Sequence, residues 1–184
     1  MIRDHASPGF EVRSRAGMAA ALADGAQIEG RWQVTCRGPD GKVKWVDEIR
    51  NLVVNQGLDH LLSAALAGGT QITAWYLGLI DATPTIAGGD TLASHAGWAE
   101  VSDYTGDRKA WTAGSVSGQS VSNSASVATF AINASVTVGG AFLASVATGT
   151  AGTLYAGGAF AGGNRALQNG DTLEVTATFT TAAS

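Results

Sequence analysis

The amino-acid sequence predicts a mainly β protein: an antiparallel β-sandwich of jelly-roll-like topology, with one short α-helix and an N-terminal arm. Three observations lead to this prediction. Apolar and polar residues alternate in several short segments after residue 28, which is the period of a half-buried strand. Turns containing glycine and asparagine separate these segments at intervals of about 10 to 15 residues, as in sandwiches and barrels. Only residues 56–67 show the period of an amphipathic helix convincingly.

Composition sets the first limits on function. The chain has 184 residues, of which 33 are alanine and 25 are glycine, and only 14 % are charged, against roughly 25 % in an average soluble domain. The net charge of −4 gives no reason to expect nucleic acid as a partner. No run of about 18 apolar residues occurs, so we expect no membrane-spanning helix and no membrane partner. The length suits one domain with an arm.

The N-terminal segment differs from the rest of the chain. Residues 1–27 lack strand alternation and are predicted to form an extended or weakly helical arm before a β-sandwich domain at 28–184. The arm carries Arg3, Arg13 and Arg15, followed by a short apolar run that contains Met18 and Leu22. This run is weakly hydrophobic and stops at residue 24, which disfavours a signal peptide.

A β-hairpin is predicted at the start of the domain, over residues 30–50. Trp32, Val34 and Cys36 alternate with polar residues and predict one strand, with the single cysteine as a small buried side chain. The sequence Gly-Pro-Asp-Gly at 38–41 is a strong turn signal, because proline presets one dihedral and Asp-Gly tolerates positive φ. Residues 42–49 then return as the second strand.

A helix is predicted at 56–67, next after the hairpin. Asn55 is the expected N-cap, and two glycines at 68–69 are expected to end the helix. Five residues recur at helical spacing and predict one apolar stripe that covers an edge or face of the sheet: Leu58, Leu61, Leu62, Ala65 and Leu66. His60 falls beside this stripe and is expected to be exposed.

The remaining chain, over 72–180, is predicted to be strands and turns. The strand candidates are 72–80, 98–104, 109–112, 126–132, 135–138, 141–146, 153–160 and 171–179. The last one alternates most clearly, with Leu173, Val175, Ala177 and Phe179 expected to face the core.

The sequence offers no convincing catalytic, cofactor-binding or metal-binding constellation. Asp90, Ser94 and His95 lie close together, but they lack the structured elbow that a serine nucleophile requires. No histidine pair has the spacing of zinc ligands, and the acidic residues near 103–107 are too sparse for a calcium loop. We therefore expect neither an enzyme nor a cofactor.

Aromatic residues and the distribution of charge are more informative. Trp98, Tyr104 and Trp111 flank a charged, loop-like stretch and are candidate surface aromatics, whereas Trp32, Trp45 and Trp75 suit core positions. Of the residues after position 111, only three are charged: Arg165, Asp171 and Glu174. Either this half of the chain packs against neighbours, or it is covered by a neutral coat of Ser, Thr, Asn and Gly.

A series of short motifs resembles a family of tailed-bacteriophage virion structural proteins that often lie near the major capsid protein. The resemblance covers about residues 30–182 and leaves the arm outside. Its motifs are NLVVNQGLDHLL at 51–62, WYLGLI at 75–80, HAGW at 95–98, Tyr104, RKAW at 108–111, Asn-Ser at 123–124, FAIN at 130–133 and GDTL at 170–173.

The resemblance implies a structural role in a virion and no catalytic residues. A capsid cement or decoration protein suits the build of the chain best, because such a protein is small, β-rich and repeated over a symmetric shell. The major capsid protein is then the expected partner, and the arm residues Arg3, Arg13, Arg15, Met18 and Leu22 are candidate contacts with it. We expect a homo-oligomer, a dimer or trimer, that is made in the host cytoplasm and located on the capsid surface.

Two other functions stay open at this point. The chain is alternatively a tail or head-fibre component, which copy number per particle would distinguish from cement. It is alternatively a receptor-binding or carbohydrate-binding virion module that uses Trp98, Tyr104 and Trp111.

Overall fold

The computed structural model describes residues 27–182, which form twelve β-strands and one α-helix. The first three elements are β1 (Gln27–Arg37), β2 (Val43–Val53) and α1 (Asn55–Leu66). The other strands are β3 (Tyr76–Ile80), β4 (Glu100–Val101), β5 (Lys109–Ala110), β6 (Ser120–Ser122), β7 (Ala128–Ala131), β8 (Val136–Val138), β9 (Gly140–Ala144), β10 (Leu154–Ala159), β11 (Arg165–Leu167) and β12 (Thr172–Ala182).

Ten of these strands belong to one antiparallel sheet, in the order β4-β3-β9-β10-β2-β1-β12-β6, with β5 beside β3 and β7 beside β12. β2 connects the two halves of this sheet. Its residues 43–51 pair with β1, and its last two residues, Leu52 and Val53, pair with β10. β8 and β11 form a separate two-stranded sheet.

The main hydrophobic core lies between the two halves of the sheet. One half supplies alternate residues of β1 and β12, such as Trp32 and Val175, and the other half supplies Leu79 and Leu143 to the same cluster. The other face of β9 contributes Phe142 to a second cluster, which the loop at 81–99 covers. β9 is therefore buried on both faces.

The mainly β, antiparallel architecture with one short helix is confirmed, and the two facing halves are consistent with a β-sandwich. The predicted inward residues of β1 and β12 are all buried. Jelly-roll connectivity stays a prediction. β1 begins at Gln27, so the strand takes the last residue of the predicted arm, and the arm residues before it lie outside the described residues.

Several boundaries differ from the sequence prediction. The strand predicted from residue 72 begins only at Tyr76, and the backbone N–H of Ile72 donates to His60 of α1 instead of to a neighbouring strand. Two short strands, β6 and β11, were not predicted. Each has only three residues, so neither shows enough alternation for a periodic signal.

Candidate functional site

The helix α1 is attached to the sheet through its first turn. The backbone N–H of Val54, the N-cap, donates to the Tyr155 carbonyl at 3.0 Å, and Gln56 Oε1 accepts from Leu154 N–H at 3.1 Å. Gly57 is buried so closely against Tyr155 that a Cβ there would overlap the Tyr155 carbonyl. The predicted Asn55 cap is wrong, because Asn55 is the first helical residue and no side-chain cap is present.

The predicted apolar stripe of α1 does not pack against the sheet: Leu61 and Ala65 line an open groove, and the other three residues face solvent. Leu58, Leu62 and Leu66, which we call the leucine row, are 40 %, 56 % and 81 % exposed. The residues turned toward the sheet are Gly57, His60 and Ala64, spaced at three and four. Hydrophobicity scales give such a small-residue face little weight, which is why the sequence predicted the wrong face.

A groove of about 520 Å³ lies between α1 and the sheet, which is within the usual range of binding pockets. We call it the α1 groove. Its helix wall consists of His60, Leu61, Ala64 and Ala65, and its opposite wall of Ala113, Val116 and Val121. Four aromatic residues form its floor: Trp75, Trp111, Tyr155 and Phe179.

The aromatic floor is held by edge-to-face contacts. Tyr155 packs against Trp75 at 5.2 Å and against Phe179 at 5.4 Å, and Trp111 packs against Phe179 at 5.7 Å between ring centroids. Trp111 Nε1 donates to the Ala177 carbonyl at 3.2 Å, which fixes the indole. The floor is a rigid apolar surface with well-defined ring orientations.

The groove carries few polar groups. His60 Nε2 accepts from the Ile72 backbone N–H at 3.4 Å and packs edge-on against Trp75 at 5.5 Å. The expectation that His60 is exposed is therefore wrong, since it is half-buried between α1 and residue 72. Burial raises the pKa of Tyr155, so its phenol stays neutral. The lining of the groove is suited to bind an apolar group.

Two of the three predicted surface aromatics are buried, so that prediction is wrong for Trp98 and Tyr104. Trp98 stacks on His95 at 3.7 Å and donates its indole N–H to Asp90 at 3.0 Å. Tyr104 packs edge-on against Phe130 at 4.9 Å, and burial, followed by the charge of Glu100, raises its pKa to about 12. Trp98 belongs to the loop at 81–99 and is buried against Phe142 of β9, at 5.1 Å between ring centroids, a contact that no local pattern shows.

Trp111, the third predicted surface aromatic, is half-buried in the floor of the α1 groove. The candidate arm contacts Arg3, Arg13, Arg15, Met18 and Leu22 lie outside the described residues. Of the described candidates, neither Trp98 nor Tyr104 lines this groove. The groove was missed because its walls come from segments far apart in the chain.

The three charged residues beyond position 111 are all used in ion pairs with the first hairpin. Glu174 accepts from Arg37 at 3.0 Å, Asp171 from Lys44 at 2.7 Å, and Arg165 donates to Asp47 at 2.6 Å. This half of the chain therefore presents little charge to a neighbour, and its exposed polar groups are mainly Ser, Thr, Asn and backbone.

These ion pairs stabilise the fold and do not form a reactive site. Burial acts to raise the pKa of Asp47, but hydrogen bonds from Arg165, Gly162 and Glu48 outweigh it and hold the pKa below its ordinary value. Another ion pair, between Arg108 and Glu100, is bidentate at 2.6 and 2.7 Å. Arg108 also donates to the carbonyls of Val146 and Gly149, which ties two loops together.

The sequence motif around His95 forms structural contacts. His95 Nδ1 lies 3.0 Å from the Trp98 carbonyl, and the Ser94 backbone N–H donates to Thr91 Oγ1 at 3.0 Å. Within residues 27–182, no group of three or more His, Cys, Asp and Glu side chains is arranged to hold a metal ion. In the same part of the chain, no helix is long and apolar enough to cross a membrane.

Comparison with known proteins identifies no relative: neither a family model nor a curated protein matches the sequence.

Proposed function

We propose that this chain is a bacteriophage structural protein, a capsid cement or decoration protein that binds the outer surface of the major capsid shell and stabilises it. The observation that carries the proposal is the leucine row, an exposed apolar helix face on a domain whose surface is poor in charge. The sequence resemblance to virion structural proteins supports the same assignment.

The leucine row has no structural purpose within the described domain. Full burial of a leucine contributes about 1.5–3 kcal/mol, and α1 forgoes part of this contribution at Leu58 and Leu62 and most of it at Leu66. Contiguous apolar patches on a soluble protein usually mark an interaction surface. The row is therefore the part of the domain that we assign to the capsid shell.

The arm supplies the second contact in this proposal. Its arginines Arg3, Arg13 and Arg15 pair with acidic groups on the shell, and the free energy of these contacts offsets the entropy lost when the arm is ordered. Each contact is weak, but a dimer or trimer that binds a symmetric shell multiplies them by avidity. The part of the chain beyond residue 111 is suited to contact between copies. Its charged side chains among the described residues are all in ion pairs, so no unpaired charge loses its water when two copies meet.

Co-sedimentation with purified capsids tests the proposal. We expect Leu62→Gln/Leu66→Gln to bind at least about tenfold more weakly, since the apolar area of two exposed leucines is lost from the contact. Glutamine keeps a helix propensity close to that of leucine, so α1 is retained. The matched control is Val46→Thr, which removes exposed apolar area on β2, away from α1.

Deletion of residues 1–26 tests the arm separately, because it leaves all of β1 in place. We expect weaker capsid binding by a domain that still unfolds in a single cooperative transition. If both the deletion and the leucine variant bind capsids like the parent chain, the cement proposal is wrong.

Copy number distinguishes cement from a tail or head-fibre component. A cryo-EM map of the particle with the chain at every capsomer supports cement, whereas density only at the tail or a vertex supports the alternative. The carbohydrate-binding alternative is weakened, because Trp98 and Tyr104 are buried and only Trp111 is left of its three aromatics.

A further inference from the structure

The α1 groove is open in the described domain, although its lining is apolar. Its wall residues Leu61 and Val116 are 39 % and 74 % exposed, and its floor is aromatic. This groove is separate from the leucine row, which lies on the outward side of α1. A groove of this kind is expected to be covered by an apolar segment.

The chain enters the described domain beside this groove. β1 pairs with β12 so that Gly30 lies opposite Phe179, which belongs to the groove floor. Ile28 lies two residues before Gly30 on the same face and packs against the core. Diagonal neighbours of this kind are about 7–8 Å apart. Ile28 therefore lies about 7–8 Å from Phe179 in the groove floor, and the arm begins two residues before Ile28.

The arm contains one uncharged apolar run at the right distance. Residues 18–23, Met-Ala-Ala-Ala-Leu-Ala, lie between Arg15 and Asp24. Met18 is ten residues before Ile28, so an extended chain spans up to about 33 Å between them. Ala, Met and Leu are the best helix formers, and a spacing of four places Met18 and Leu22 on one side of a helix. Such a short helix is unstable alone and requires an apolar surface.

We propose that residues 18–23 dock in the α1 groove of their own chain, with Met18 and Leu22 against the aromatic floor. The tether favours the chain's own segment over that of a second copy. The tether gives the segment an effective concentration at the groove of the order of 1 mM. If the intrinsic dissociation constant is about 0.1 mM, the segment is docked in about ten of every eleven molecules. Arg3, Arg13 and Arg15, which precede the docked segment, then extend beyond the groove and stay available to another partner.

A cross-link in the full-length chain tests the proposal. The variant Leu22→Cys/Ala64→Cys places one thiol in the segment and one in the helix wall, and the native Cys36 is fully buried. The control, Ile2→Cys/Ala64→Cys, has the same wall thiol and a distant arm thiol. We expect an intramolecular disulfide to form about tenfold faster in the first variant. Equal rates in the two variants, or mainly disulfide-linked dimers, would overturn the proposal.

Hydrogen exchange followed by mass spectrometry provides a test that needs no new thiol. We expect Met18→Ser/Leu22→Ser to raise exchange in residues 58–66 and 111–121 by up to about tenfold, because the docked segment no longer protects them. The control Ile2→Ser/Phe10→Ser removes apolar side chains elsewhere in the arm and should leave exchange unchanged. Unchanged exchange in the first variant would contradict the proposal. Both tests use the isolated protein, so their outcome is independent of capsid binding.

Discussion

Replacement of Asn123 by alanine is expected to destabilise the protein by about 3 kcal/mol. β12 changes partner along its length, pairing with β7 at Thr172–Val175 and with β6 at Thr178–Thr180. The Asn123 side chain bridges the gap: its Oδ1 accepts from Ala177 N–H at 2.7 Å, and its Nδ2 donates to the carbonyls of Val175 and Ser126 at 3.1 and 3.3 Å. The side chain thus replaces the missing strand pairing.

The magnitude follows from these contacts. Each hydrogen bond contributes about 1 kcal/mol net, and the buried groups left unpaired add to the loss. Asn123, Val175 and Ala177 are all fully buried, so water does not replace the lost partners. A loss of about 3 kcal/mol corresponds to a decrease in Tm of about 6–12 °C for a domain of this size.

Urea unfolding followed by tryptophan fluorescence measures the effect. Asn133→Ala is the matched control, because Asn133 is exposed and its side chain makes no hydrogen bond in the described structure. We expect the control to stay within about 0.5 kcal/mol of the parent chain. A loss below about 1 kcal/mol for Asn123→Ala would refute the bridging role, since a single surface hydrogen bond accounts for that much.

Three further predictions concern α1, an ion pair and the cysteine. Gly57→Ala should destabilise the protein by about 1–3 kcal/mol in urea unfolding, because the added Cβ overlaps the Tyr155 carbonyl and α1 must move. Unchanged stability would show that α1 is loosely attached. The pKa of Asp47 is lowered in the folded state, so its stabilisation is present above its unfolded pKa and is lost as the pH falls below about 4. Thermal unfolding of Asp47→Asn should therefore depend less on pH in this range than that of the parent chain. Burial raises the pKa of Cys36 to about 11, so a thiol reagent at about pH 8 should modify it only as fast as the protein unfolds.

Local periodicity was sufficient to predict the strands that form the core. The alternation in residues 32–36 and 171–179 identified the buried side chains of β1 and β12 correctly, because successive side chains of a strand point to opposite faces whatever its partner is. The turn at 38–41 and the existence of one helix were predicted for the same reason: turn chemistry and helical period are local properties.

The orientation of α1 and the location of the groove depended on contacts between distant segments. The helix is fixed by Gln56 and Gly57 against residues 154–155, about a hundred positions away in sequence. These backbone contacts outweigh the preference of three leucines for burial, so the leucine row faces outward. In the same way, Trp98 is buried by its contact with Phe142 of β9. Residues of β1 and β2 also form ion pairs with the three charged residues beyond position 111. An amphipathic pattern shows that a helix has an apolar face, but the close approach of two backbones decides whether that face is buried or offered to a partner.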